Sequence, residues 1–354
     1  MGKTKEFLKR KNVVISAKRY GVDALGAMAQ GLFASLLIGT ILDTLGTQLG
    51  VEWLVTIGGF AKAVSGPAMA ISIGFALQAP SLVLFSLAAV GWAANSLGGA
   101  GGPLAVLVVA VVASELGKLV SKETPVDILA TPLVTILSGA GLSILVAAPI
   151  GAGALALGEI IKWATQQQPF LMGIVVSVVV GVFLTLPISS AAICHALQLT
   201  GLAGGAAVAG CCAQMVGFAV MSFRENRWGG LVSQGLGTSM LQMGNIVKNP
   251  RIWLPAILTS AITGPLATCL FRLEMNDPAS AVASGMGTCG LVGQIGVYSG
   301  WVADVASGAR AAITPFDWIG LVLVCFLLPA VLCWALGLVC RRLGWIKDGD
   351  LTLA

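Results

Sequence analysis

The sequence predicts an all-α protein that crosses a membrane many times. Hydrophobic residues make up 57% of the chain and charged residues 10%, whereas about a quarter of a soluble domain is charged. Long stretches contain no Asp, Glu, Lys or Arg, among them 63–114, 128–158, 163–223, 252–271 and 318–340. Each reaches or exceeds the roughly 20 residues that cross a bilayer core. The 46 glycines favour close helix contacts and broken or re-entrant segments.

The two ends of the chain carry the topology signal. Residues 1–20 mix basic and apolar side chains, which predicts an amphipathic helix on the cytoplasmic membrane surface and no cleavable signal peptide of the usual form. Seven of the 20 basic residues precede the first span: Lys3, Lys5, Lys9, Arg10, Lys11, Lys18 and Arg19. Arg341, Arg342 and Lys347 follow the last span. Both termini are therefore predicted to be cytoplasmic, with an even number of crossings.

This charge distribution also sets the domain organisation and the partners. We expect one transmembrane domain over 21–343 and a cytoplasmic tail over 344–354. The net charge of +5 follows from topology, so the lipid bilayer is the expected partner and nucleic acid is not.

In the first part of the chain the predicted spans lie at 24–45, 53–73, 76–92 and 101–116. Asp43, near the end of the first span, is either a buried functional carboxylate or an interfacial one. The run GGAGGP lacks the Lys and Ser/Thr of a phosphate-binding loop and predicts a tight turn between helices. A polar loop, expected to be cytoplasmic, follows from Glu115 to Asp127.

The central part predicts helices that proline interrupts. A span that contains Pro132 and Pro149 leads into a small-residue segment, expected either to dip into the membrane or to lie along it. The run 163–223 is long enough for two or three crossings. Within it Pro187 should end a helix and free backbone groups that can line a cavity.

Two short, glycine-rich polar stretches follow. Residues 228–247 carry no formal charge but many hydroxyl and amide side chains, which predicts a re-entrant or pore-lining segment. A span at 252–272 leads into a turn with Glu274 and Asn276. The stretch 285–300 is the second glycine-rich one, and 318–340 is the last span.

The eight cysteines lie in or beside apolar segments and show no CxxC or Cys/His spacing. They predict packing residues, because a free cysteine behaves as a small hydrophobe. The vicinal pair Cys211 and Cys212 would form a strained disulfide. No metal and no cofactor is expected.

The runs SSAAICHALQLTG and CCAQMVGFAV to NIVKNPRIW, with the earlier TPVDILATPLVTILSG, resemble the type 2 enzyme IIC membrane subunits of the phosphotransferase system. More closely, they resemble its perfringolysin O regulator (PfoR) branch. The likeness covers about 23–343. It implies about ten spans with re-entrant hairpins, a homodimer, and transport of a sugar across the bacterial inner membrane. Separate IIB and IIA proteins would supply phosphorylation, since no fused IIA or IIB domain is present and no cysteine follows Cys340.

Well-understood members of that family place a histidine and a glutamate near the sugar hydroxyls. Polar groups at membrane depth usually serve a pathway or a site, and amides both donate and accept hydrogen bonds. The candidate substrate ligands are His195, Gln234, Gln242, Asn245, Glu274, Asn276 and Gln294. Each has a structural alternative: a histidine bonded to a backbone carbonyl, an interfacial turn, or amides that join helices.

Two other functions remain open from the sequence. One is an ion-coupled secondary transporter of a small polar solute, with coupling through Asp43, His195 or Glu274. The other is a membrane sensor that regulates gene expression and transports little. No catalytic residue is assigned, and enzyme activity would exist only as part of a phosphotransferase with partner subunits.

Overall fold

The computed structural model describes residues 3–277 and 280–353, which form two compact units that divide after Gly153. The predicted turn after residue 272 includes residues 278 and 279, which lie outside the described residues. All the long elements are helices, and the one isolated β-bridge in the described chain joins Gly201 and Met275.

The first unit begins with a short surface helix and continues into apolar helices. Its helices are α1 (Lys3–Arg10), α2 (Ala24–Leu32), α3 (Ile38–Leu49), α4 (Glu52–Ala63), α5 (Ser65–Ala76), α6 (Ser81–Gly98), α7 (Gly102–Val120) and α8 (Asp127–Ala164), the last ending in the second unit. Short π-helical turns at Arg19–Asp23 and Phe33–Leu37 lead into α2 and join it to α3.

The surface helix is shorter than predicted. It ends at Arg10, because Asn12 adopts a left-handed conformation with φ 54°. The Asn12 side chain then accepts a hydrogen bond from Arg19 Nη1 at 3.2 Å. The prediction of one amphipathic helix over residues 1–20 is therefore wrong.

The helices α6 and α7 form an antiparallel hairpin. Gly99 between them has φ 50°, and glycine adopts this left-handed conformation without the steric cost other residues pay. The Cβ position of Gly102 faces Asn95, and that of Gly117 faces Val83, contacts that a single straight helix would forbid. The tight turn predicted for GGAGGP is present, and each limb is about 27 Å long, close to a bilayer core.

Reciprocal glycines bring neighbouring helices of this unit into backbone contact. The Cβ position of Gly39 faces the carbonyl of Gly58 on α4, and that of Gly58 faces the carbonyl of Gly39. Gly66 on α5 and Gly91 on α6 are related in the same way. Such small-residue contacts hold helices together where lipid removes the hydrophobic driving force.

The second unit surrounds one helix that is buried along most of its length. Its helices are α9 (Pro169–Thr185), α10 (Ser190–Ala196), α11 (Gly201–Met221), α12 (Phe223–Val232), α13 (Met243–Lys248), α14 (Leu254–Pro265), α15 (Ala281–Ser284), α16 (Val292–Ala306), α17 (Pro315–Val322) and α18 (Leu328–Arg342). The apolar stretch of α11 is 89% buried. Gly210 on α11 lies against the carbonyl of Ser177 on α9, and Gly173 and Gly264 join α9 to α14.

Non-helical backbone separates these helices where the sequence predicts breaks. The helix α9 ends at Thr185, and Leu186 before Pro187 is extended with ψ 158°, as the residue before proline prefers. Residues 228–247 fold into short helical pieces and not into one span. By contrast, the small-residue segment after Pro149 forms no separate element: it continues α8, a helix of 38 residues.

Within the described residues, six helical stretches are long and apolar enough to cross a membrane, or seven if the pair α4 and α5, bent by 48°, counts as one span. The 40-residue stretch Ser81–Val120 is among the six, and the hairpin geometry makes it two limbs. The number of about ten spans stays a prediction.

Candidate functional site

A backbone bridge joins two polar segments of the second unit that are far apart in the sequence. Gly201 N donates to Met275 O at 2.9 Å, and Met275 N donates to Gly201 O at 3.1 Å. Gly201 begins α11 and has φ 60°, so the chain turns sharply into the helix there. The bridge places the His195 segment beside the Glu274 segment.

Two adjoining cavities lie at this bridge, and together we call them the acidic cavity. The larger, of about 590 Å³, is lined by segments within 165–172 and 197–203. The smaller, of about 260 Å³, is lined by Arg272, Asp304 and Arg310. Glu274 and Asn276 line both cavities. Each is large enough for a small polar ligand.

A single amide connects the carboxylates of the acidic cavity. Asn276 Nδ2 donates to both carboxylate oxygens of Asp304, at 3.0 and 2.9 Å, and lies 3.3 Å from Glu274 Oε2. Asp304 is only 8% exposed and forms no ion pair within the described part of the chain. Burial of a carboxylate is costly unless it is paired or well hydrogen-bonded. The Asp304 carboxylate has about four acceptor positions, so it can accept further hydrogen bonds from a ligand.

Two arginines complete the cavity wall. Arg272 Nη2 pairs with Glu274 Oε1 at 3.0 Å, with the arginine side chain 67% exposed. Arg310 Nη2 pairs with Asp317 at 2.5 Å, and its guanidinium lies 5.5 Å from the ring centroid of the buried Trp301. The wall thus offers carboxylate acceptors, one amide and guanidinium donors, a set that matches ligand hydroxyl groups.

His195 does not line the acidic cavity, although its neighbours do. It lies in the last turn of α10, whose first turn is capped by Ser189 Oγ accepting from Ala192 N at 3.2 Å. The imidazole is exposed. Its backbone carbonyl accepts from Gln198 Nε2 at 2.9 Å, and Gln198 lines the larger cavity.

Three of the predicted amides form a hydrogen-bonded chain elsewhere, which we call the amide ladder. Gln242 Nε2 donates to Gln234 Oε1 at 2.9 Å, and Asn245 Nδ2 donates to Gln242 Oε1 at 2.8 Å. Gln234 Nε2 donates to Ser222 Oγ at 2.8 Å. Since Ser222 follows the last residue of α11, a helix of 21 residues, the ladder lies about 30 Å from the acidic cavity.

The C-terminal tail covers the amide ladder. Gln242 Nε2 donates to Leu351 O at 2.9 Å, and Asn245 Nδ2 donates to Thr352 O at 2.8 Å. Asn226 Nδ2 also donates to Leu351 O at 2.8 Å. The ladder amides are therefore bonded to one another and to the tail backbone.

Gln294, near the start of α16, lies in a third place, beside the middle of α11. Its Nε2 lies 3.1 Å from Cys212 Sγ, and its Oε1 is buried without a partner. The neighbouring segment is irregular, with φ of 52° at Gly290 and 60° at Leu291. Cys212 and all other cysteines are free thiols.

Two candidate functional residues were not predicted from the sequence. Asp304 is the single charged residue of α16, and that isolated charge in a predicted membrane segment was an available signal. Gln214 on α11 is fully buried and accepts from Trp253 Nε1 at 2.8 Å, with its own Nε2 unpaired. Asp43, predicted as one coupling carboxylate, is ion-paired with Lys62 at 2.5 Å.

Apolar helices of membrane-crossing length, breaks at glycine and proline, and a polar cavity at such a break define a multi-pass membrane transporter. The family model described as "Phosphotransferase system, EIIC" matches residues 22–353. The chain belongs to this family and is a membrane sugar-transport permease component of a bacterial phosphotransferase system. Comparison with curated proteins and with solved structures gives no match.

Proposed function

We propose that the acidic cavity binds the transported sugar. One observation carries this proposal: the bridge between Gly201 and Met275 gathers Glu274, Asn276 and Asp304 around a cavity. Carboxylates accept hydrogen bonds from sugar hydroxyls, and charge-assisted hydrogen bonds of this kind are about twice as strong as neutral ones. Arg272 contributes donors, because the amide hydrogens of Asn276 are already directed at Asp304 and Glu274.

The cavity lies at the end of α11 remote from the C-terminal tail. With the tail on the cytoplasmic side, as the basic residues near the chain ends predict, the cavity is reached from outside the cell. It is then the site where the sugar first binds, and His195, near the lining residues Leu197 and Gln198, is a secondary contact. The amide ladder and Gln294 would meet the substrate only after the chain rearranges.

A separate IIB protein, recharged by a IIA protein, phosphorylates the sugar at the cytoplasmic face in this proposal, and the permease acts as a homodimer. The family membership supports the phosphotransferase role, and the resemblance to the PfoR branch supports a link to gene regulation. Phosphorylation makes uptake irreversible, so no coupling ion is needed.

Substitution of the cavity carboxylates tests the proposal. A thermal-shift screen of the purified chain against free sugars identifies the ligand, because a ligand of the folded state raises its stability. Glu274→Gln and Asp304→Asn should each weaken binding about 10- to 100-fold, the loss expected for a hydrogen bond to a charged group. His195→Ala should weaken binding less than either.

Glu159→Gln is the matched control, because Glu159 is 67% exposed and lies on α8 outside the cavity wall. Normal sugar affinity in both cavity variants, with the folded state intact, would refute the assignment. Ligands found only among non-sugar solutes would instead support an ion-coupled transporter. Binding without flux in proteoliposomes that contain the IIB and IIA proteins would support a sensor.

A further inference from the structure

The first unit contains a further cavity, which the proposed sugar site does not use. It has a volume of about 420 Å³ and lies where α1, α5 and α7 end. Four cationic side chains and one carboxylate line it: Arg10, Lys11, Lys118, Lys122 and Glu123. We call it the basic cavity.

Part of this positive charge stabilises the helix ends themselves. The last carbonyls of a helix lack partners within the helix. Lys118, only 2% exposed, donates to Asn12 O at 2.9 Å and Leu77 O at 3.1 Å, and pairs with Glu115 at 2.7 Å. Arg19 also donates to Leu77 O, at 2.6 Å. Lys118 and Arg19 are thus already bound to groups of the protein itself.

The cations at the rim are less fully occupied. Arg10 shares the single carboxylate of Glu123 with Lys11, which also donates to Ser121 O, and the Arg10 side chain remains 64% exposed. Lys122 is exposed, and its ammonium forms no ion pair in the part of the chain that the structure describes. Lys122 can therefore bind an anion without losing an ion pair. Arg10 would give up only the Glu123 carboxylate that it shares with Lys11.

The position of the basic cavity selects the kind of anion. The spanning stretch Arg19–Leu49 begins beside it, and both ends of the hairpin Ser81–Val120 lie next to lining residues. The cavity is therefore at the membrane surface. Basic pockets between helices at that level bind the head groups of anionic lipids, and guanidinium groups match phosphate geometry.

We propose that the basic cavity binds a phosphate group, with Arg10 and Lys122 in contact with its oxygens. The phosphate is carried either by an anionic phospholipid or by a soluble phosphate ester, which present the same chemistry. The buried ammonium of Lys118 adds positive charge to the cavity without contacting the phosphate. This site is independent of sugar binding in the acidic cavity.

The source of the phosphate can be separated experimentally. The full chain is placed in phosphatidylcholine nanodiscs, and its thermal stability is measured after part of the lipid is replaced by phosphatidylglycerol with the same acyl chains. Inorganic phosphate and a hexose phosphate are tested separately in pure phosphatidylcholine. Stabilisation by phosphatidylglycerol alone identifies a lipid ligand, and stabilisation by the soluble ions identifies a soluble one. No stabilisation by either overturns the proposal.

Matched variants locate the effect in the cavity. The double variant Arg10→Gln with Lys122→Gln should bind the phosphate ligand about tenfold more weakly, as expected for two partly exposed charge-assisted contacts. The control, Lys162→Gln with Arg224→Gln, removes the same charge from side chains 62% and 71% exposed. Glu123→Gln should strengthen binding. Equal losses in the two double variants, or no loss in the first, overturn the site.

Discussion

Asn276 shows how one neutral side chain can hold two carboxylates in place. Its Nδ2 donates to both oxygens of Asp304 and lies within 3.3 Å of Glu274. Repulsion between the two acids is relieved by Arg272, which pairs with Glu274 but not with Asp304. Asp304 therefore keeps hydrogen-bonding capacity that a hydroxylated ligand can use, which is why its substitution is central to the binding test.

The side chain of Glu123 predicts that the stability of the protein depends on pH. The hydrogen bond from Lys11 lowers the pKa of Glu123 from its ordinary value of 4.5, with smaller help from Arg10. A group with a lowered pKa in the folded state stabilises the protein above its unfolded-state pKa, and that contribution is lost as the pH falls through the folded-state value. We expect a small loss of thermal stability below pH 4.5.

Thermal unfolding of the wild type and of Glu123→Gln, measured from pH 7 to pH 3, tests this expectation. The wild type should be the more stable near pH 7, and the difference should vanish at the acidic end. A difference independent of pH would show that Glu123 acts through shape and not through charge. Other carboxylates titrate in both proteins, so only the difference between them is informative.

At the scale of elements, the C-terminal tail is packed into the second unit. Leu351 is fully buried and Ile346 is 2% exposed. Asn249 Nδ2 donates to Trp345 O and to Asp350 Oδ2, at 2.9 and 2.8 Å. The tail thus satisfies buried amides that the sequence assigned to substrate binding. A cytoplasmic tail was predicted, but its role as a partner of these amides was not.

Removal of residues 345–354 should destabilise the protein. The truncation leaves the amides of Gln242 and Asn245 without their tail carbonyls, and each buried unsatisfied donor costs about 1–3 kcal/mol. A lower unfolding temperature in detergent should report this loss. Thr352→Ala is the control, because Asn245 binds the backbone carbonyl of Thr352, and this variant should unfold like the wild type. An unchanged unfolding temperature after truncation would contradict the structural role.

For the whole molecule, the untested property is its orientation in the membrane. The basic residues near both ends predict that the N- and C-termini are cytoplasmic. Green fluorescent protein fused to either end should then fluoresce, and alkaline phosphatase fused to either end should be inactive. Active phosphatase at one end only would mean an odd number of crossings. If that end were the C-terminus, the acidic cavity would lie on the cytoplasmic side of the membrane.

Much of the fold follows from local chemistry that the sequence alone reveals. Charge-free runs predict membrane spans, because hydrocarbon excludes ions and forces the backbone to bond within its own segment. Pro187 and the run around Gly99 mark real breaks, because proline restricts its neighbour and glycine permits a left-handed turn. The many glycines and polar side chains of residues 228–247 likewise indicate that this stretch is not a simple spanning helix. None of these features depends on distant parts of the chain.

The assignment of polar residues to sites was decided only by tertiary structure. Gln234, Gln242 and Asn245 have the chemistry of sugar ligands, but the fold places them about 30 Å from Glu274, at the other end of a 21-residue helix. Asp304 binds Asn276, which lies 28 positions earlier in the sequence and contacts Glu274. Composition and spacing show which side chains can bind a hydroxyl group, whereas long-range contacts, such as the bridge between Gly201 and Met275, determine which of them share a cavity.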